Sequence, residues 1–444
     1  MKPRPELPPG PYLVVGLARS GRAAALTLRA RGERVIGLDS GKPADLDALL
    51  AAGVELHLGE QDGASLVERA ACIVKSPGVP AAVPAVQHAL AERKRVLGEL
   101  ELAWRLLANE FIAVTGTNGK TTTVELIGHI HGVAGVPATV AGNVGVALSG
   151  LVGRIDPAAT IVCEASSFQL EDALAFSPEL AVLLNLAPDH LDRHGTFEHY
   201  RQAKLRIFAR QDAGDTAALP AGLELGTIPG AARRVFFGAG EVADLSLADG
   251  VLYWRGKPLV KASELRIPGR HNLQNAMAAA AACLVRGLDP RAVCEGLRSF
   301  PGVAHRLQEV TVRDGVRYVN DSKATNVAST LVALDALAGA HPGIHLILGG
   351  RGKGQDFAPL RLPVERCCRA VYLIGEDAER IATALDGATT PMSRCETIER
   401  AVERARGQAR PGETVLLSPA CASFDQFVDF EARGERFREL VSPS

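Results

Sequence analysis

A dominant charge is the first thing missing from this chain. Its 49 Lys and Arg against 50 Asp and Glu leave a formal net charge of −1, so it carries no electrostatic footprint for nucleic acid or an anionic membrane surface. Long apolar runs are missing too: no stretch reaches the roughly 18 uninterrupted apolar residues of a membrane span. The opening residues, Met1-Lys2-Pro3-Arg4-Pro5-Glu6-Leu7-Pro8-Pro9, lead to an apolar stretch from Tyr12 to Leu17 that is short and runs into Arg19, so no secretory leader is expected. The 8 cysteines are scattered, and the adjacent pair Cys367-Cys368 lacks metal-ligand spacing. Buried, reduced thiols in a cytoplasmic protein follow as the expectation. There is no solenoid repeat, no low-complexity segment and no convincing Ser–His or Cys–His pair for covalent catalysis. What remains is a 444-residue chain, 47% hydrophobic and 22% charged, with the make-up of a globular enzyme of two or three domains.

Short apolar runs alternate with helix-length Ala/Leu/Arg segments: Tyr12–Val15, Arg34–Leu38, Ala71–Val74, Phe111–Val114, Thr160–Cys163, Leu180–Asn185, Arg317–Val319, Ile344–Leu348, Ala370–Ile374 and Thr414–Leu417. Apolar strands between helices predict α/β architecture, with parallel sheets covered on both faces. Three domains are expected, over residues 1–105, 106–302 and 303–444. Between Arg234 and Ile267 the pattern shortens and alternates, with Asp249-Gly250 and Arg255-Gly256 as turns, which predicts a small antiparallel excursion.

Behind the buried run Phe111–Val114 stands Gly116-Thr117-Asn118-Gly119-Lys120-Thr121-Thr122. Glycines here let backbone N–H groups close around phosphate oxygens, and the helix that follows aims its positive N-terminus at them. Lys120 is suited to β/γ-phosphates and the Thr121 hydroxyl to Mg²⁺. Two residues separate Gly116 from Gly119, against four in the standard phosphate loop. Glu164, at the end of the run Ile161–Cys163, falls where a Mg²⁺ ligand belongs, and His190 arrives at the same sheet edge after the next apolar run. Asn143, on the Gly142–Gly145 turn, offers an amide between nucleotide and substrate.

Earlier in the chain, Val14-Val15-Gly16-Leu17-Ala18-Arg19-Ser20-Gly21 follows a strand and opens a helix, and Asp39 lies 18 residues after Gly21. This approximates a dinucleotide fingerprint, with Ala18 at the middle glycine. Three readings stand: an NAD site, a tight turn that needs small residues, and a nucleotide-diphosphate site for something other than NAD. The last is preferred, because Ala18 puts a methyl where a pyrophosphate approaches and the chain has a separate triphosphate loop. The turn Lys75-Ser76-Pro77-Gly78 shares that sheet edge.

Taken in order, Gly116–Thr122, Gly142–Gly145, Glu164–Gln169, Asp189–Arg193, Tyr200–Lys204, His271–Asn275, Ala304–Arg306, Asn320–Asn326, Gly349–Lys353 and Leu417–Asp425 resemble the Mur ligases and their folylpolyglutamate synthetase relatives. Ser418–Asp425 tips the likeness to the glutamate-adding branch. The resemblance implies a Rossmann-like first domain, a central domain of phosphate-loop ATPase type and a Rossmann-like third domain. It implies a monomeric, ATP-dependent ligase that joins D-glutamate to UDP-N-acetylmuramoyl-L-alanine through an acyl phosphate. Sister ligases adding L-glutamate or another amino acid are the nearest alternative, and an NAD-binding protein a remote one.

By the same resemblance, ATP falls to Gly116, Thr117, Asn118, Gly119, Lys120, Thr121, Thr122, Asn143, Asn275, Arg306 and Asp321. Arg306 would act when the third domain closes. Two Mg²⁺ ions fall to Thr121, Glu164, His190 and Lys204, the last as a carbamate that turns an ammonium into an anionic oxygen ligand. Lys120, Glu164, His190 and Lys204 form the implied catalytic set. The UDP-substrate falls to Arg19, Ser20, Asp39, Ser40, Ser76, Asn143 and His190, and D-glutamate to Thr325, Lys353, Ser423, Phe424 and Phe430. The chain departs from the family pattern at Gly41, where relatives often carry a basic residue (here Lys42 follows), and at Arg351, acidic in some relatives.

Overall fold

The structure is a computed structural model that describes residues 2–442 apart from 44–45, 61, 241–242, 268, 339–342 and 353. The chain divides into two compact units, Met1–Arg266 with His271–Phe300, and Ile267–Arg270 with Pro301–Ser444.

The first unit holds two sheets. One is five-stranded and parallel, in the order Glu55–Leu58, Val35–Asp39, Tyr12–Val15, Cys72–Lys75, Arg95–Gly98. Its central strands Tyr12–Val15 and Cys72–Lys75 are fully buried and, but for the terminal Lys75, predominantly apolar, as a parallel sheet covered on both faces requires. The two edge strands carry no continuous apolar run in Glu55-Leu56-His57-Leu58 and Arg95-Val96-Leu97-Gly98, and are less buried, so they give no such signal.

The second sheet has nine strands. Ala138–Gly142, Thr160–Glu164, Phe111–Thr115, Leu180–Leu183, Thr216–Pro220, Arg233–Gly238 and Leu245–Ala248 pair in parallel in that order. The expected antiparallel excursion follows as Leu245–Ala248, Val251–Trp254 and Lys257–Lys261. Both its turns have positive φ at their two central residues, 48° and 73° at Asp249-Gly250 and 48° and 77° at Arg255-Gly256, the twist that suits a two-residue hairpin.

These two sheets share the helix Glu99–Leu106. Leu102 packs into the core of the first sheet, while Leu100, Ala103 and Trp104 join Phe111 and Phe176 in the core of the second. Glu101, fully buried on this helix, accepts from the amides of Leu174, Ala175 and Phe176 and from Arg105 at 2.8–3.1 Å. Those donors compensate an otherwise costly buried carboxylate. The buried Lys75 pairs with Asp172 at 2.7 Å. The N-terminal segment also crosses to the second sheet: Arg4 lies over the Trp104 ring at 4.4 Å and bonds Asn109 O and Glu179, while Lys2 pairs with Asp215.

The second unit is a six-stranded sheet in the order Gln308–Arg313, Val316–Asn320, Thr414–Leu417, Ile344–Gly349, Cys368–Ile374, Met392–Glu396. Its first pair is antiparallel and the others are parallel. Among the described residues no helix is long and apolar enough to cross a membrane.

Candidate active site

The phosphate loop runs from the end of Phe111–Thr115 into the helix Lys120–Val133, with φ of 156° at Gly116 and 86° at Gly119. The second glycine is required twice over. Its φ is left-handed, and a Cβ there would lie 2.1 Å from Asn275 Oδ1. Asn275, assigned to ATP by resemblance, thus packs on the loop from the helix Arg270–Val285. Gly119→Ala is expected to cost at least about 1 kcal/mol of stability and more than tenfold in nucleotide affinity, read by urea unfolding and ADP titration.

Two residues without an assigned role, Asn185 and Tyr200, hold the loop. Asn185 Oδ1 accepts from Asn118 N at 2.9 Å, its Nδ2 donates to Asn118 O, and its carbonyl accepts from Thr117 N. Thr117 Oγ1 donates to Ala187 O while accepting from Ala187 N and from the Tyr200 hydroxyl at 3.1 Å. The signal was present: Asn185 closes an apolar run whose strand pairs directly with Phe111–Thr115.

Beneath the loop, Thr121 Oγ1 donates to Glu164 Oε2 at 2.8 Å, and Asn143 Nδ2 donates to Glu164 Oε1 at 2.9 Å. Thr121 and Glu164 are both buried. The structure thus brings Thr121 and Glu164 into contact, with Asn143 on the same carboxylate. Among the described residues no three His, Cys, Asp or Glu side chains converge as a metal cluster.

The two lysines share one acceptor. Lys120 Nζ donates to the carbonyls of Gly116 (2.8 Å) and Thr117 (3.0 Å), and Lys204 Nζ to that of Gly116 at 2.8 Å. Lys204 is 2% exposed and lies 4.6 Å from the Tyr200 ring. Burial, helped by the charge of Lys120 and opposed by Asp189 and Glu164, pushes its amine down to about 6. Lys204 is thus an uncharged amine at neutral pH.

His190 takes a left-handed backbone, φ 52°, ahead of the helix Leu191–His194, and remains half-exposed. Its ring meets Phe168 at 4.9 Å. Phe168 stacks on His194 at 5.3 Å, and His194 Nε2 bonds Ser167 Oγ at 3.0 Å. This buried Ser–His contact, unforeseen from sequence, fixes the aromatic backing of His190. Arg193 stacks over Phe168 at 4.0 Å and donates to Val79 O, which ties this segment to the first sheet.

At that sheet's edge the fingerprint acts as a turn with a cleft beside it. A Cβ at Gly21 would lie 1.7 Å from Gly16 O, so helix and strand touch backbone to backbone. Asp39 accepts from Leu17 N at 2.7 Å and Gly41 N at 2.8 Å, and Ser76 Oγ donates to Gly16 O at 2.7 Å. Gly16, Asp39, Ser40, Gly78 and Val79 line a cavity of about 320 Å³. Ser20 lies in the first turn of the helix Arg19–Ala30, and Arg19 donates to Asn143 O at 3.0 Å.

The residues of the implied amino-acid set fall in the second unit. Ser423 is buried, Thr325 and Phe430 are partly buried, and Phe424 is exposed. Phe430 opens the last helix, and its ring meets His305 at 6.3 Å. Asp321, buried, accepts from Leu307 N and Ser418 Oγ, and burial pushes its carboxyl up to about 7. Arg306 Nε is buried without a hydrogen-bond partner among the described residues. Arg351 forms a two-pronged pair with Glu376 at 2.7 and 2.8 Å, so the departure there is neutralised locally. Lys353 lies outside the described residues.

Comparison with known proteins matches residues 11–98 to the MurD-like N-terminal domain of Mur ligases, 114–283 to the Mur ligase middle domain and 305–421 to the Mur ligase glutamate ligase domain. The UDP-N-acetylmuramoylalanine–D-glutamate ligase of Pelotomaculum thermopropionicum is 43% identical, covering 97% of this chain and 96% of the relative. That of Solibacter usitatus is also 43% identical, with 97% of each covered. Among solved structures, UDP-N-acetylmuramate-alanine ligase MurC from Thermotoga maritima superposes with a TM-score of 0.62 at 19% identity, covering 97% and 98% of the two chains. MurF ligase from Thermotoga maritima in complex with ADP gives 0.61 at 18%, covering 92% and 94%. Three matched domains in sequence order and full-length identity above 40% establish that this chain belongs to the Mur ligase family, in the branch of the UDP-N-acetylmuramoylalanine–D-glutamate ligases.

Proposed function

We propose that this chain joins D-glutamate to UDP-N-acetylmuramoyl-L-alanine using ATP, as a cytoplasmic, monomeric enzyme of peptidoglycan precursor synthesis and so of cell-wall growth and division. The observation that carries the reading is the buried Thr121–Glu164 pair, with Asn143 bonded to its carboxylate, under a glycine loop lined by Lys120 and Lys204. It is a site for passing a phosphoryl group, where positioning and charge replace a protein nucleophile.

The substrate carboxylate attacks the γ-phosphorus and ADP leaves, giving an acyl phosphate. The D-glutamate amine then adds to the acyl carbon, and the tetrahedral species collapses with loss of phosphate and a proton to the amide. In this scheme the loop amides and Lys120 hold the phosphates, and Asn143 keeps the Glu164 carboxylate turned toward Thr121 Oγ1. The Thr121 hydroxyl and Glu164 carboxylate are hard oxygen donors that fit Mg²⁺, which supplies charge neutralisation on the phosphates. Lys204 suits a carbamate because burial keeps its amine uncharged: the amine adds to CO₂, forms an N–C bond and releases one proton, and the resulting anion serves with His190 at a second ion. The cleft beside Gly16, Asp39 and Ser40 receives the UDP moiety, and the second unit supplies Thr325, Ser423, Phe424 and Phe430, with Lys353, to the amino acid.

Phosphate release measured with UDP-N-acetylmuramoyl-L-alanine and D-glutamate, L-glutamate and other amino acids in parallel tests this. D-Glutamate is expected to support turnover at least 100-fold better than L-glutamate; preference for another acceptor moves the chain to a sister activity.

A further inference from the structure

Arg193 belongs to none of the ATP, metal, UDP-substrate or amino-acid sets, yet its guanidinium touches the surroundings of two of them. On one side its Nη2 donates at 3.1 Å to the carbonyl of Val79, 114 residues away. Val79 lines the cleft of about 320 Å³ beside Asp39 and Ser40. The turn that carries it has little room to adjust. Lys75 Nζ donates to the same carbonyl at 2.8 Å, and a Cβ at Gly16 would lie 2.6 Å from Val79 Cγ2. On the other side the guanidinium lies 4.0 Å from the centre of the Phe168 ring. That ring meets His190 at 4.9 Å and stacks on His194, whose pKa burial lowers, so the second imidazole stays neutral near the arginine. A guanidinium can stack on an aromatic face while its edge still donates to a carbonyl, which the compact ammonium of a lysine does not reproduce.

On the reading of this chain as a UDP-N-acetylmuramoyl-L-alanine ligase, we propose that Arg193 is a positioning residue that ties the wall of the uridine-diphosphate cleft to His190. Seating the nucleotide end of the substrate then sets the imidazole at the phosphoryl-transfer end. The path has four contacts: cleft wall to Val79, carbonyl to guanidinium, guanidinium to Phe168, and Phe168 to His190. His190 is suited to be the receiving end. Its ring is half-exposed and rests on Phe168, and its left-handed backbone, φ 52°, persists only where neighbours hold it. His194, bonded to Ser167 Oγ at 3.0 Å, anchors the aromatic group from within the second sheet's own segment. Arg193 is the contact that brings the cleft wall to that group.

The test uses the full chain saturated with ADP, so that added UDP meets the cleft alone, and compares wild type with R193M, R193K and F168L. By calorimetry R193M is expected to bind UDP about tenfold more weakly, the scale of losing a charged hydrogen bond. R193K, whose ammonium still reaches for the Val79 carbonyl, and F168L, which leaves that bond intact, are expected to stay within about threefold of wild type. The His190 Cε1–H resonance, assigned by its absence from H190Q, is expected to shift on UDP addition in wild type and to stay unmoved in R193M and F168L. Turnover is expected to fall about tenfold or more in all three variants, as a misplaced group does, with the KM for ATP unchanged. A resonance that stays still in wild type, or moves equally in R193M or F168L, overturns the coupling, since UDP would then act on His190 by no path or directly. A lower melting temperature in R193M with unchanged UDP affinity and turnover also overturns it and leaves Arg193 a structural pin. Absence of wild-type turnover with every amino acid would instead refute the ligase reading, while the UDP affinities and the His190 resonance still decide the coupling.

Discussion

Lys204→Ala is expected to lower turnover by roughly 10³-fold or more, the scale of removing a charge that acts directly on phosphoryl transfer. Small carboxylates such as formate or acetate are expected to restore part of it. Two features make the effect large. The side chain sits against the phosphate loop, on the carbonyl of Gly116, and its amine is held unprotonated down to about pH 6. ¹³C NMR of protein equilibrated with ¹³CO₂ should show one carbamate resonance in wild type that is absent from the variant. Below pH about 6 the folded amine takes up its proton and can no longer add to CO₂, so wild-type activity should fall through that pH while residual activity of the alanine variant does not share the limb. Near-normal turnover of the variant without added carboxylate would refute the assignment. Stability carries its own sign. Between pH about 6 and the ordinary 10.5 the unfolded chain binds one proton more than the folded chain at this site, so Lys204 makes stability rise with pH across that window. Lys204→Met should flatten the rise in a series of urea titrations.

Glu164→Gln is the second large effect, with turnover expected to fall roughly 10²–10³-fold and the Mg²⁺ concentration for half-maximal rate to rise. The amide keeps the shape but loses the negative charge, and its Nε2 donor end faces either Thr121 Oγ1 or the Asn143 amide, where the carboxylate accepts from both. One of these buried contacts must become donor against donor, or the Thr121 hydroxyl must turn away. Kinetics at varied Mg²⁺ and thermal melting separate the two consequences. A lower melting temperature with an unchanged Mg²⁺ requirement would make Glu164 a purely structural carboxylate.

Much of this site was legible in the sequence because its chemistry sits at the ends of apolar runs. Gly116–Thr122 and Glu164 follow buried parallel strands, and the register that pairs Val114 with Glu164 brings Thr121 and Glu164 together. The Asp249-Gly250 and Arg255-Gly256 turns were legible because each ends in a glycine, which takes positive φ without steric cost, between short alternating segments. Less visible were contacts that depend on distance in the chain: Asn185 against Asn118, Tyr200 against Thr117, Arg193 on the carbonyl of Val79. No local pattern marks a side chain whose partner lies 67 or more residues away. The strands Glu55–Leu58, Arg95–Gly98 and Met392–Glu396 escaped for a different reason, since edge strands bury only part of their surface and need no continuous apolar run.

The helix Glu99–Leu106 belongs to two cores at once, and this decides where the chain can be cut. A fragment of the nucleotide-binding sheet beginning at residue 106 would leave Trp104 behind and open a hole beside Phe111 and Phe176, while a fragment ending at residue 105 would carry that indole into water. Fragments intended for separate expression should therefore keep the first two sheets together, and the useful break is the one near Phe300 and Pro301.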